Sequence, residues 1–174
     1  MDCCTVETQS EGLAFDPVIA HEPVDDARHI CKSCHGASRP VARRTVLLML
    51  KPDCLDRAHE TEYRFCSDPD CRIVYFTQNS DQYFTIDDLR VRVGLKQTGG
   101  EIPLCYCFGF NESDIREEIM KKGQTFIPER IGTLIKQKMC ECASRNPSGA
   151  CCLGEVRKVV KRLTSECLGS MERT

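Results

Sequence analysis

The 174-residue chain has no tryptophan, and its aromatic side chains are 7 Phe and 4 Tyr. Large apolar payload is therefore scarce, and small domains with thin cores usually need disulfides or metal ions to stay folded. Long hydrophobic runs are also missing. The apolar stretch 46–50 is far too short to cross a bilayer, so membrane insertion is not expected. Charge of one sign is not in excess: the formal net charge is −2, which argues against a basic nucleic-acid binder. The opening MDCCTVETQSEG has neither the basic nor the apolar region of a secretory leader. A cytoplasmic location follows as the expectation. No Gly-rich phosphate loop is present, since KQTGGE at 96–101 lacks the required pattern. No catalytic set emerges either, so the chain does not read as an enzyme, although reduction of a metal ion remains open as a side activity.

What the sequence has instead is cysteine, 14 residues in all. In a reducing compartment stable disulfides are rare, and cysteine-rich chains there more often bind metal. Thiolate suits zinc, iron–sulfur clusters and copper(I).

The chain divides into three parts. Residues 1–30 form an acidic leader, with Asp2, Glu7, Glu11, Asp16, Glu22, Asp25 and Asp26 against Arg28. Residues 31–98 are expected to be β-rich. Strands are predicted over RTVLLMLK (44–51), YRFC (63–66), RIVYFT (72–77) and LRVRVG (89–94), on β-branched and aromatic content or alternation. KQTGGEIP (96–103) reads as a linker. Residues 99–174 are expected to be helical. Asn111 or Ser113 caps a helix near 114–122 that Gly123 stops, Pro128 opens a second helix, and a third runs near 153–166. The predicted class is α+β: a small β-rich module followed by a small helical module.

Cys31-Lys-Ser-Cys34 and Cys66-Ser-Asp-Pro-Asp-Cys71 are two short-spaced pairs joined by a longer segment. That is the pattern of a closed tetrahedral zinc site; a redox dithiol and plain buried thiols are the competing readings. His35 adjoins Cys34 and is a possible replacement ligand, while His21, His29 and His59 have no recognisable spacing. Cys105-Tyr-Cys107 is a C-x-C, awkward for one zinc ion but suited to adjacent thiolates at one iron of a cluster. Cys140, Cys142, Cys151 and Cys152, flanking the turn-rich SRNPSGA, are the remaining candidates for the four-thiolate shell of a [2Fe–2S] cluster. Cys152 precedes the third helix, whose N-terminus favours negative charge.

The zinc half, C-x-x-C then Y-x-F-C-S-x-x-x-C-x-x-x-Y-F, resembles treble-clef modules of the TRASH/YHS type, which are linked with heavy-metal handling. CYCFGFNESDIREEI followed by C-x-x-x-N-P-S-G-x-C-C resembles the N-terminal domain of the CopZ copper-chaperone family, whose cluster half is similar to bacterioferritin-associated ferredoxin. Position by position, the resemblance implies zinc on Cys31, Cys34, Cys66 and Cys71, and a [2Fe–2S] cluster on Cys105, Cys107, Cys142 and Cys152, with Cys140 and Cys151 in reserve. It further implies a copper or other soft-metal chaperone or resistance accessory that uses one-electron transfer, with copper(I) as a further candidate ion. The expected partner is a copper-transport or heavy-metal-domain protein, or a redox partner. The alternative is a ferredoxin-like or redox-sensing module acting through a partner protein. In one respect the sequence departs from the family: it contains no M-x-C-x-x-C copper loop, and MDCC and MCEC both fail that pattern. Transfer would then rely on a partner domain in a separate chain or on the spare cysteines Cys3, Cys4, Cys54, Cys140, Cys151 and Cys167. Of these, the Cys3–Cys4 pair is a candidate trap for copper(I) or mercury(II), against an incidental pairing; Cys54 and Cys167 read as ordinary thiols.

Overall fold

The computed structural model describes residues 30–171. The acidic leader, with Cys3, Cys4, His21 and His29, lies outside the described residues. The architecture is α+β.

An antiparallel sheet of order β1-β2-β3-β4 is built from Ser38–Ala42, Glu62–Cys66, Ile73–Phe76 and Tyr83–Thr85. Phe65 of β2 pairs with Tyr75 of β3, which in turn pairs with Phe84 of β4. These three rings are almost completely buried and form the centre of the first apolar cluster, together with Val41, Val46, Met49, Leu50 and Val74. The scarce aromatics are thus concentrated on one sheet.

Two predicted strands are corrected. RTVLLMLK contributes helix α1, Arg43–Met49. An unbroken apolar run has no period of its own to separate strand from helix. Here Thr45, Val46 and Met49 are buried, the spacing of one helical face, while Leu47 and Leu48 pack at its flank. LRVRVG forms no strand beyond a single bridge between Leu50 and Leu89. Its alternation is real, for Leu89 and Val93 are buried. Its backbone, however, bonds to the end of α1, where Arg90 N–H donates to the Met49 carbonyl at 2.9 Å.

A short hairpin follows, β5 (Pro103–Cys105) with β6 (Phe110–Asn111), then α2 (Glu112–Lys122), α3 (Ile127–Lys136), α4 (Cys142–Arg145) and α5 (Leu153–Met171). Asn111 caps α2 in a capping box with Asp114, and Gly123 ends it with φ of 73°. Pro128 stands in the first turn of α3. Ile115, Ile119, Ile127, Ile131, Val156 and Leu163 fill a second apolar cluster that also contains Cys105 and Cys152. Arg162 of α5 pairs with Glu112 of α2 at 2.6 Å. Among the described residues, no helix is long and apolar enough to cross a membrane.

Candidate metal centres

The first group is made by two loops that meet at one end of the sheet. Cys31 follows Ile30, which bridges to Ala37. The chain then turns tightly: His35 N–H donates to the Cys31 carbonyl (2.8 Å), and Cys31 N–H to the Gly36 carbonyl (2.9 Å). His35 takes a left-handed φ of 56° to make this turn and is exposed, so its role is conformational. Gly36 is where the two loops touch. A Cβ there would meet Asp68 Cβ at 3.0 Å and Cys34 Sγ at 3.2 Å. The second loop joins β2 to β3, with Cys66 ending one strand and Cys71 just before the other.

The result is a convergence of Cys31, Cys34, Cys66 and Cys71, whose sulfurs all lie within 4.8 Å of one another. Cys34 Sγ and Cys66 Sγ are 3.6 Å apart. Four sulfurs about 2.3 Å from a tetrahedral zinc ion are about 3.8 Å from one another, so this donor set fits that ion. Cys31, Cys66 and Cys71 are buried with Phe76 in a small cluster of their own.

The thiols are poised unequally. Burial would raise Cys31, but N–H groups of Cys34 and Ser33 and the thiols of Cys34 and Cys66 outweigh it and hold it below the ordinary thiol range. Burial pushes Cys66 up to about 11 against the opposing Asp68 N–H and Lys96 charge. Lys96 is a residue that sequence reasoning assigned to a linker. It is 8% exposed, and its Nζ donates to the carbonyls of Asp68 (2.6 Å) and Cys71 (2.9 Å). Only its position beside the turn-rich GG hints at anything local; no spacing rule points to it.

The second group lies on the hairpin and helix termini of the C-terminal half. Cys105 ends β5, Cys107 sits in the turn to β6, Cys142 begins α4 and Cys152 immediately precedes α5. The sulfurs associate across the chain. Cys107 Sγ lies 3.8 Å from Cys142 Sγ, and Cys105 and Cys152 are neighbours in the second apolar cluster, where each perturbs the other's thiol. This differs from the expectation that the C-x-C would present its two thiolates to one iron: the hairpin turn directs each sulfur toward a different distal cysteine. A binuclear cluster has two irons with a thiolate pair each, so a two-by-two set fits it. Among the described residues, the only group of three or more ligand atoms all within 4.8 Å is the first one.

Cys105 is 1% exposed and Cys152 4%. The Cys152 thiol, together with N–H groups of Phe108 and Cys107, lowers Cys105 to about 7 against burial. Cys152 is pushed up by the same neighbour and by burial, and burial raises Cys142 to about 12, with Cys107 adding to it. Glu141 N–H donates to Cys107 Sγ at 3.3 Å. Of the reserve cysteines, Cys140 is half-buried and Cys151 exposed, while Cys54 is buried and donates to the Asp88 carboxylate at 3.5 Å.

Comparison with known proteins bears on the first group. A family model described as a zinc binding domain, that of CopZ, matches residues 28–90. The copper chaperone CopZ of Archaeoglobus fulgidus is 35% identical over 91 residues, which are 52% of this chain and 42% of that relative. The chain therefore spans less than half the length of that curated relative. The X-ray structure of the A. fulgidus CopZ N-terminal domain superposes with a TM-score of 0.63 at 27% identity, over 75% of this chain and 96% of that one. The sequence over 28–90 thus matches the CopZ zinc-binding domain model, and the described fold is like that of a CopZ N-terminal domain.

Proposed function

We propose that the chain is a metal-handling protein of the copper-trafficking type, carrying one structural zinc ion and one [2Fe–2S] cluster. Cys31, Cys34, Cys66 and Cys71 hold the zinc. A four-cysteine shell leaves no open coordination position, so this metal folds the domain rather than reacting. Cys105, Cys107, Cys142 and Cys152 hold the cluster. The observation that carries this reading is the approach of Cys107 to Cys142, with sulfurs 3.8 Å apart, beside Cys105 and Cys152 in one buried cluster.

When bound, the cluster supplies one electron at a time, which is what conversion of a copper(II) substrate to copper(I) requires. The residues around it set the conditions. Cys105 and Cys152 form a buried inner pair, and Cys107 and Cys142 a half-exposed outer pair, so the outer edge faces substrate. The Glu141 N–H donates to Cys107 Sγ, and such a donor stabilises the negative charge of a thiolate. Cys140 and Cys151 flank that edge and offer soft ligands that prefer the reduced copper ion. Likeness to a copper chaperone supports a copper-transport protein as the recipient.

The test is an air-free preparation in which zinc, iron, sulfide and copper are counted per chain, followed by mixing of the reduced protein with copper(II). One zinc, two irons and two sulfides, with reoxidation in step with copper(I) formation, are expected. An iron-free preparation overturns the cluster assignment, and reduced protein indifferent to copper(II) overturns the reductive role.

A further inference from the structure

The loop that separates Cys142 from Cys152 is held by the zinc-binding half of the chain. Tyr75 lies in β3, the strand that leaves Cys71, and its side chain is 0% exposed. Its ring packs edge-on against Phe65, the neighbour of Cys66, with centroids 6.2 Å apart. Its hydroxyl crosses to the other half and donates to the Pro147 carbonyl at 2.6 Å. Pro147 is buried and stands midway between Cys142 and Cys152 in sequence.

Two further contacts fix the same loop. Thr45 Oγ1 of α1 donates to the Ala143 carbonyl at 2.5 Å. Gly149, with φ of 66°, lies so close to β1 that a Cβ there would be 3.1 Å from Val41 Cγ2. Within the loop, Ser148 N–H and hydroxyl both donate to Asn146 Oδ1 at 3.0 Å, and Asn146 Nδ2 donates to the Ala150 carbonyl at 2.7 Å. The loop is internally stiff and externally pinned, so it moves as a unit with whatever holds Pro147.

The C-x-C side is tied down in the same way. The Tyr106 hydroxyl accepts Gly94 N–H at 2.8 Å and donates to the Arg92 carbonyl at 2.9 Å, next to the segment whose Lys96 grips the Cys66–Cys71 loop.

We propose that Tyr75 is a positioning residue, which transmits the fold imposed by the four-cysteine zinc site to the loop carrying Cys142 and Cys152. The inference rests on the cluster reading above and adds that the Tyr75 hydroxyl is a link between the two metal centres. A buried carbonyl that loses its donor is costly, so the loop responds to removal of that hydroxyl alone.

The experiment compares the full wild-type chain with Tyr75→Phe, which keeps the ring and deletes the hydroxyl. In zinc-loaded, iron-free protein, amide exchange of residues 146–150 is expected to rise at least tenfold in Tyr75→Phe while β2 and β3 amides stay protected. In iron-loaded protein, the variant is expected to keep its zinc, to shift the electron paramagnetic resonance signal of the reduced state, and to lose iron to a chelator several-fold faster. Unchanged exchange together with unchanged iron loss overturns the proposal. A wild type that binds no iron sinks the cluster reading, and the exchange comparison then still decides whether the linkage exists. If Tyr75→Phe does not fold, Thr45→Val, which removes the contact to Ala143, is judged on the same two measurements.

Discussion

Lys96 Nζ donates to the carbonyl oxygen of Cys71 at 2.9 Å, and to that of Asp68 at 2.6 Å. The ammonium also lies 5.9 Å from the centroid of Phe65. A single buried cation thus closes the Cys66–Cys71 loop from beneath, where four thiolates around a divalent ion would leave an excess of negative charge. Lys96→Met keeps the stem and removes the charge, leaving the buried Cys71 carbonyl and the part-buried Asp68 carbonyl without this donor. A loss of about 2–3 kcal/mol of stability is expected, with weaker zinc retention in a chelator competition. A variant as stable as the wild type and equally slow to release zinc would show that the contact is incidental.

Zinc removal provides a second test. The first apolar cluster is small, and three of the four cysteines of the first group are buried beside it with Phe76. Ligand-gathered domains of this kind gain much of their folding free energy from the metal. Chelation under reducing conditions is therefore expected to abolish the β-sheet signal of β1–β4 in circular dichroism and to restore it on zinc addition. A sheet that survives verified zinc loss would mean that the apolar cluster suffices.

Acid sensitivity is expected at Asp88. Its carboxylate accepts Thr85 N–H (2.7 Å) and hydroxyl (3.0 Å), and pairs with Arg57 at 2.7 Å. Burial acts to raise this carboxyl, but the Thr85 and Arg57 donors and the Cys54 thiol prevail and hold it below the ordinary carboxylate value. Because the folded-state value is depressed, the stabilisation is present above the unfolded value of about 3.9 and is lost as pH falls through the folded one. Asp88→Asn is expected to cost about 1 kcal/mol at pH 7, and the cost is expected to shrink as pH falls through the depressed folded-state value. Urea titrations at neutral and increasingly acid pH make the comparison; a pH-independent difference would contradict it.

How much of this was legible in the sequence depended on whether the information was local. C-x-x-C and C-S-D-P-D-C mark tight turns within a few residues, so the four-cysteine convergence could be anticipated from spacing. The α2 cap and stop were legible for the same reason, with Asn111 and Gly123 acting on their own neighbours. The segment 43–49 was not, because five successive apolar residues satisfy either period and only the burial of Val46 and Met49 against the sheet decides. Residues 89–93 alternate as a strand does, yet the end of α1 takes their hydrogen bonds. Pairing of Cys107 with Cys142, and the grip of Lys96 on the Cys71 loop, depend on where distant segments come to rest.

Gly149 tests the fit between the two halves. Alanine at this position would adopt an unfavourable left-handed φ and push its Cβ toward Val41. Gly149→Ala is expected to lower stability by about 1–2 kcal/mol, seen as a reduced melting temperature of the full chain. Tolerance without loss would mean that β1 and the loop separate easily.

The adjacent cysteines before α5 should behave as opposites. Cys152 is 4% exposed and sits with Cys105 in the second apolar cluster. Its N-terminal neighbour Cys151 is exposed. Serine retains the size of the side chain but is a poor ligand for iron compared with thiolate. Cys152→Ser is therefore expected to remove most bound iron and the visible absorption of an air-free preparation. Cys151→Ser should keep iron at wild-type stoichiometry and lose, at most, the capacity to retain copper(I). The same contrast is expected between Cys142, 3.8 Å from Cys107, and Cys140. Iron retained in Cys152→Ser but lost in Cys151→Ser would require the loop to turn its other cysteine inward, which the contacts of Asn146, Pro147 and Ser148 oppose.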